Sequence, residues 1–170
     1  MDKLLSPLLL LCVFLTPLAR SAEIPLILVA IFGLILVIKQ GTNVLGQDKV
    51  KKFSVLFLLL WIPIIFSAVD SINQWDVVRF SAEYLRYYFF GVFVIYHLDE
   101  MRLRDRIVSW ISFILLFWIG DALIQAFFGV DLFGFPLLDR VSGVFGRHVK
   151  LGLYLAVYSP VLMIFIDRLK

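Results

Sequence analysis

Six apolar runs, at residues 4–19, 24–38, 53–69, 80–98, 107–128 and 151–166, leave this chain few ways to fold. A helix that crosses a bilayer needs roughly 20 predominantly apolar residues. Its backbone must also satisfy its own hydrogen bonds, because hydrocarbon offers none. The runs fill most of 170 residues. The sequence therefore predicts an all-α, polytopic transmembrane bundle of about six spans in a single transmembrane domain, residues 1–170. Hydrophobic residues make up 62% of the chain and charged residues 17%, against about 25% charged in soluble domains. The first run has two readings. Lys3, a Leu-rich centre and Ala19-Arg20-Ser21 resemble a secretory signal peptide, whereas the closeness of the second run favours a retained span paired as a hairpin.

Basic residues orient such a bundle. With six alternating spans, Lys3, Lys39, Lys49, Lys51, Lys52, Arg102, Arg104, Arg106, Arg168 and Lys170 share one side. Arg20, Arg79, Arg140, Arg147 and Lys150 take the other, and Arg86 lies within a span. Ten against five makes the first side cytoplasmic, with both ends of the chain inside. The net charge of +3 serves topology and anionic lipid; no nucleic-acid motif is present. Cys12 alone supports neither a disulfide framework nor a zinc cluster, and no metal-ligand spacing occurs.

Charged and amide side chains inside a span cost about 2.5–3.5 kcal/mol at the helix centre for the charged ones, so each needs a partner or a task. Arg79, Glu83 and Arg86 share one face of the fourth span. They form either a self-neutralising ladder with Arg86 snorkelling outward or a surplus of positive charge for an anionic headgroup. Asp121 and Gln125 stand one turn apart in the fifth span and should look into the bundle, as glue between helices or as the lining of a wet cavity. Trp61, Trp75, Trp110 and Trp118, with Tyr84, Tyr87 and Tyr88, read as interfacial belt and packing residues. Pro63 and Pro160 are expected to kink their helices, and residues 40–43 and 129–134 have the composition of loops.

The last outward loop carries the densest polar chemistry. Arg140 precedes a glycine-containing turn with Gly143 and Gly146; Arg147, His148 and Lys150 follow, and the sixth span opens beside Gly152. A helix start offers backbone N–H groups, glycine lets backbone approach a ligand, and arginine presents a bidentate fork to phosphate oxygens. Those features suit a diphosphate at the outer surface. They suit equally a basic loop lying on anionic headgroups.

Arg140-x-Ser142-Gly143-x-Phe145-Gly146, then Gly152-x-Tyr154-Leu155 and Pro160, preceded by Asp121, Gln125, Gly129, Asp131 and Gly134, resembles the O-antigen ligase and polymerase family of bacterial inner-membrane proteins. The motifs cover residues 121–160; earlier spans agree only in hydropathy. The resemblance implies a multi-pass glycosyltransferase of the bacterial inner membrane without cofactor or metal. Such enzymes take a glycan from an undecaprenyl-diphosphate carrier at the periplasmic face. The acceptor is lipid A-core for a ligase and a second lipid-linked glycan for a polymerase. On this resemblance Arg140 binds the donor diphosphate, Arg147 and Lys150 are weaker candidates, and Gly143 and Gly146 shape the turn. Many relatives carry Asn or acidic residues where this chain has Arg147-His148, so His148 is only a candidate catalytic group. Family members have about twice as many helices, so the chain is expected to be the N-terminal half of a longer enzyme, inactive alone. The alternative is a non-catalytic membrane protein, such as a lipid-linked sugar exporter or transporter half, in which Asp121 and Gln125 line a path.

Overall fold

The computed structural model describes residues 2–18, 21–98, 101–137, 141–145 and 150–168. It is all-helical. The helices are α1 (Asp2–Leu15), α2 (Glu23–Leu45), α3 (Asp48–Phe66), α4 (Gln74–His97), α5 (Met101–Phe128) and α6 (Leu151–Asp167), with a short 3-10 turn at Gly143–Phe145 before α6. No strand occurs among the described residues, and the β-pairing seen there is an isolated bridge between Val130 and Pro136.

Two helices are long and apolar enough to cross a membrane, Glu23–Leu45 and Leu103–Phe128. At 1.5 Å per residue the 26 residues of the second reach roughly 39 Å, beyond the roughly 30 Å of hydrocarbon. α1 and α6 are apolar but shorter. α3 and α4 carry charge inside the helix: Asp48, Lys49, Lys51 and Lys52 fill the first turns of α3, and Asp76, Arg79, Glu83 and Arg86 punctuate α4.

The chain forms two compact units, one of Met1–Pro25 with Met101–Lys170, the other of Leu26–Glu100. In the first, α5 packs against α1, α6 and the 3-10 turn. Leu115, Trp118, Val144 and Tyr154 form its core, with Phe14, Ile111 and Tyr158 packed around them. Trp118 is thus a core residue, its ring 5.2 Å from that of Phe14, whereas Trp75 and Trp110 are exposed. Arg168 at the end of α6 meets Asp105 near the start of α5 at 2.8 Å.

Proline shapes this unit by what it withholds. Pro17 has no N–H to return to the Val13 carbonyl four residues back. The buried Tyr154 hydroxyl donates to that oxygen instead, at 3.1 Å, tying α6 to α1. The same logic recurs within α6, where Pro160 leaves the Ala156 carbonyl open and the Ser159 hydroxyl donates to it at 2.9 Å. α3 and α6 run through Pro63 and Pro160 as single helices. The non-helical backbone lies instead at Gln40 in α2 (φ −133°, ψ 29°), where the sequence suggested a loop and the chain resumes as helix to Leu45.

In the second unit, α3 packs on α4. The Phe53 ring stacks on Tyr88 at 6.0 Å and the Ser54 and Tyr88 hydroxyls lie 3.0 Å apart. Trp61 donates its indole N–H to the Ser81 carbonyl at 2.8 Å. α2 meets α4 at Gly33, where a Cβ would lie 2.0 Å from the Phe89 carbonyl oxygen. Only glycine allows that approach.

Candidate functional site

The two polar residues expected to face inward in the fifth span do so: Asp121 is 1% exposed and Gln125 fully buried. Among the described residues neither bonds to another α-helix. Both are spent on the backbone of the loop that follows α5.

That loop begins where α5 must stop. Gly129 takes φ +79°, the left-handed conformation that commonly ends a helix and that glycine adopts without a Cβ penalty. Its N–H still reaches the Gln125 carbonyl at 2.9 Å. The chain then folds back on itself, with Asp131 N–H donating to the Phe135 carbonyl (3.1 Å) and Leu137 N–H to the Gly129 carbonyl (2.6 Å). Asp131, 5% exposed, organises the turn: its Oδ1 accepts the N–H groups of Phe133 (2.9 Å) and Phe135 (2.7 Å), as Asx turns do. Gly134 closes it at φ +84°.

Asp121 and Gln125 hold this hairpin from beneath. Asp121 Oδ1 accepts from the Leu132 N–H at 2.9 Å. Gln125 uses its whole amide. Nε2 donates to the carbonyls of Phe135 (3.2 Å) and Pro136 (3.5 Å), and Oε1 accepts from the N–H groups of Ser142 and Gly143, both at 2.8 Å. Two donors and two acceptor positions are all that a carboxamide possesses. Turning it over would set NH2 against two N–H groups and oxygen against two carbonyls, so the orientation is forced. One side chain thereby fixes the chain on both sides of residues 138–140.

Gly143 is required by its surroundings. Its φ is +54°, and a Cβ there would lie 3.2 Å from Asp121 Oδ2. That oxygen is buried and has no hydrogen-bond partner among the described residues, and the same holds for Asp131 Oδ2. Two carboxylates thus reach the end of α5 with one oxygen each on backbone N–H and one unspent. Such a pair favours a cation or a hydrogen-bond donor nearby. Among the described residues no group of three His, Cys, Asp or Glu side chains is placed to hold a metal.

Of the residues the sequence pointed to, Asp121, Gln125 and Gly143 come together here. Lys150 is exposed and caps the start of α6, its carbonyl accepting the Tyr154 N–H at 2.9 Å. Arg140, Gly146, Arg147 and His148 lie outside the described residues. Glu83 and Arg86 belong to α4 in the other unit. There the Arg79 guanidinium meets Glu83 at 3.2 Å on an exposed face, and Arg86 donates to the Tyr87 hydroxyl at 3.1 Å with its guanidinium 5.0 Å from that ring's centre. In the sequence Asp131 stands out only as part of the motif that runs from Asp121 to Gly134. Its organising role was foreshadowed by Asp131 and Gly134 standing three residues apart in a loop, the spacing of an Asx-type turn. The clamp on Ser142 and Gly143 had no local signal. No protein-family model, curated protein or solved structure matches the chain, and the site is known by its own geometry.

Proposed function

We propose that this chain forms part of a multi-pass glycosyltransferase of the bacterial inner membrane. It would move a glycan from an undecaprenyl-diphosphate carrier to lipid A-core or to a second lipid-linked glycan at the periplasmic face. On this reading the six helices cross the bilayer alternately with both ends inside, which puts the C-terminal end of α5 and the loop after it outside. The observation that carries the proposal is the Gln125 clamp. By gripping Phe135 and Pro136 on one side and Ser142 and Gly143 on the other, it holds at the end of α5 the two stretches that flank Arg140 in the sequence. A donor site for a lipid diphosphate needs its cation fixed at that level, because preorganised charge stabilises a leaving group without reorganising as the reaction proceeds.

The reaction is a displacement at the anomeric carbon. An acceptor hydroxyl oxygen forms the new bond, the bond to the carrier's diphosphate oxygen breaks, and the diphosphate departs with the electron pair while the hydroxyl proton passes to a base. Arg140 is assigned to the departing diphosphate, with Arg147 and Lys150 as supporting cations and His148 as a candidate proton acceptor. The exporter or transporter alternative needs Asp121 and Gln125 to contact a solute. Gln125 has no hydrogen-bonding capacity left for one, which favours the enzyme.

The test is glycan transfer by Arg140→Lys and Arg140→Ala in the complete enzyme, with membrane insertion verified in the same samples. Recognition of the diphosphate by the planar guanidinium predicts a loss of about tenfold or more with lysine, equivalent to roughly 1.4 kcal/mol. Normal transfer by both variants removes Arg140 from the donor site.

A further inference from the structure

The hairpin after α5 has an outer surface unlike that of a loop in water. Phe127 and Phe128 at the end of α5 are 82% and 77% exposed, and Leu132 and Phe133 at the tip are 56% and 51% exposed; Val130 and Phe135 are exposed as well. Between Asp121 and residue 138 the one charged side chain is Asp131, which is buried. The turn between α3 and α4 also exposes apolar side chains, Val69 and Ile72, but mixes them with the exposed polar Asp70 and Asn73.

The hairpin's backbone fits the same picture. Of the eight N–H groups from Gly129 to Leu137, seven have acceptors within the protein: those of Gly129, Asp131, Gly134 and Leu137 on main-chain carbonyls, and those of Leu132, Phe133 and Phe135 on Asp121 or Asp131. A loop in water has no need of this, because solvent serves its donors. A segment in contact with hydrocarbon does need it. The carbonyls of Gly129, Asp131, Phe135 and Pro136 are met as well. Those of Val130, Leu132, Phe133 and Gly134 have no donor among the described residues, which places the backbone within reach of headgroup water, above the hydrocarbon centre.

We propose that residues 127–137 form a rigid interfacial wedge whose apolar side chains enter the acyl chains of the outer leaflet, with Asp121, Gln125 and Asp131 holding its shape from the protein side. The surface is continuous with the exposed apolar face of α5 at Leu116 and Leu123, so one lipid boundary serves both. The proposal rests on the membrane reading above and is independent of the glycan chemistry.

The experiment places single nitroxide labels in the complete chain, in a Cys12→Ala background. The sites are Phe127→Cys and Leu132→Cys on the wedge, Leu116→Cys midway along α5 and Asn73→Cys in the turn between α3 and α4. After reconstitution in phosphatidylethanolamine and phosphatidylglycerol vesicles, collision of each label with oxygen and with a water-soluble nickel chelate is read by EPR. The two wedge labels should resemble Leu116→Cys, their ratio of oxygen to nickel collisions exceeding that at Asn73→Cys several-fold. Nickel access at the wedge with lipid access at Leu116→Cys overturns the wedge alone. Low access to both reagents at the wedge means that protein covers it, from a second copy or a further segment, and also overturns the proposal. Nickel access at Leu116→Cys as well overturns the wedge together with the membrane reading, while leaving glycan transfer to be judged by the Arg140 variants.

Discussion

Replacing Gln125 with leucine keeps the bulk of the side chain and deletes four hydrogen bonds at once. The losses are unequal. Ser142 and Gly143 are buried, so their N–H groups have no water to turn to, and each orphaned donor costs about 1–3 kcal/mol. The carbonyls of Phe135 and Pro136 belong to exposed residues and can recruit solvent, adding little. The expected destabilisation is therefore about 4 kcal/mol, roughly a thousandfold in the folding equilibrium. Reversible unfolding in mixed micelles, followed by tryptophan fluorescence, measures it, since Trp118 lies in the core of the same unit. Amide exchange at Ser142 and Gly143 supplies a local readout, in which protection should fall before the rest of the unit opens. Leu116→Met, on the exposed face of α5, serves as the control and should be neutral. If Gln125→Leu unfolds within about 0.5 kcal/mol of the parent and the two amides stay protected, the clamp contributes nothing and the argument for an anchored loop fails.

Gly143→Ala forces a side chain into a φ of +54° against Asp121 Oδ2 and should cost about 2 kcal/mol in the same unfolding assay; a neutral result would mean that the turn relaxes without strain. Tyr154→Phe removes the hydroxyl that serves the Val13 carbonyl and should cost about 1 kcal/mol, whereas an unchanged midpoint would show that water takes its place. Gly33→Ala sets a methyl group 2.0 Å from the Phe89 carbonyl and should loosen the α2–α4 contact by about 1–3 kcal/mol, seen as faster amide exchange in α2 around Gly33. Cysteines at Asn73 and Asp48 test topology: in spheroplasts an impermeant maleimide should label the first and spare the second, and the reverse pattern would invert the orientation.

Helix existence was legible because apolar runs of this length have few alternatives, and the inward face of α5 was legible because Asp121 and Gln125 recur at helical spacing in a lipophilic stretch. Gly129 and Gly134 announced the turn that they make. Their partners were not legible. Gln125 binds residues 10 to 18 positions later in the chain, and which backbone groups need an amide depends on how the loop folds back. Prolines left less trace in the backbone than their type suggests. α3 and α6 continue through Pro63 and Pro160, a hydroxyl one residue before Pro160 serves the carbonyl it abandons, and non-helical backbone falls at Gln40. Residue type left Trp118 open between belt and packing, and its ring against Phe14 of α1 makes it core. Length and hydropathy support two of the six expected spans directly; the charges at the start of α3 and along α4 hide any signal there.

The bond between Tyr154 and Val13 also sets a timetable for synthesis. The unit that contains it is discontinuous, opening with Met1–Pro25 and resuming only at Met101, and its two partners are 141 positions apart. At roughly 5–20 residues per second, about 7–28 s pass between the emergence of Val13 and that of Tyr154. Throughout that interval α1 carries a carbonyl that Pro17 cannot serve, while α2, α3 and α4 are made and can pair among themselves. The nascent chain therefore completes its middle before its beginning, and the Val13 carbonyl needs an interim donor, such as water, until α6 arrives.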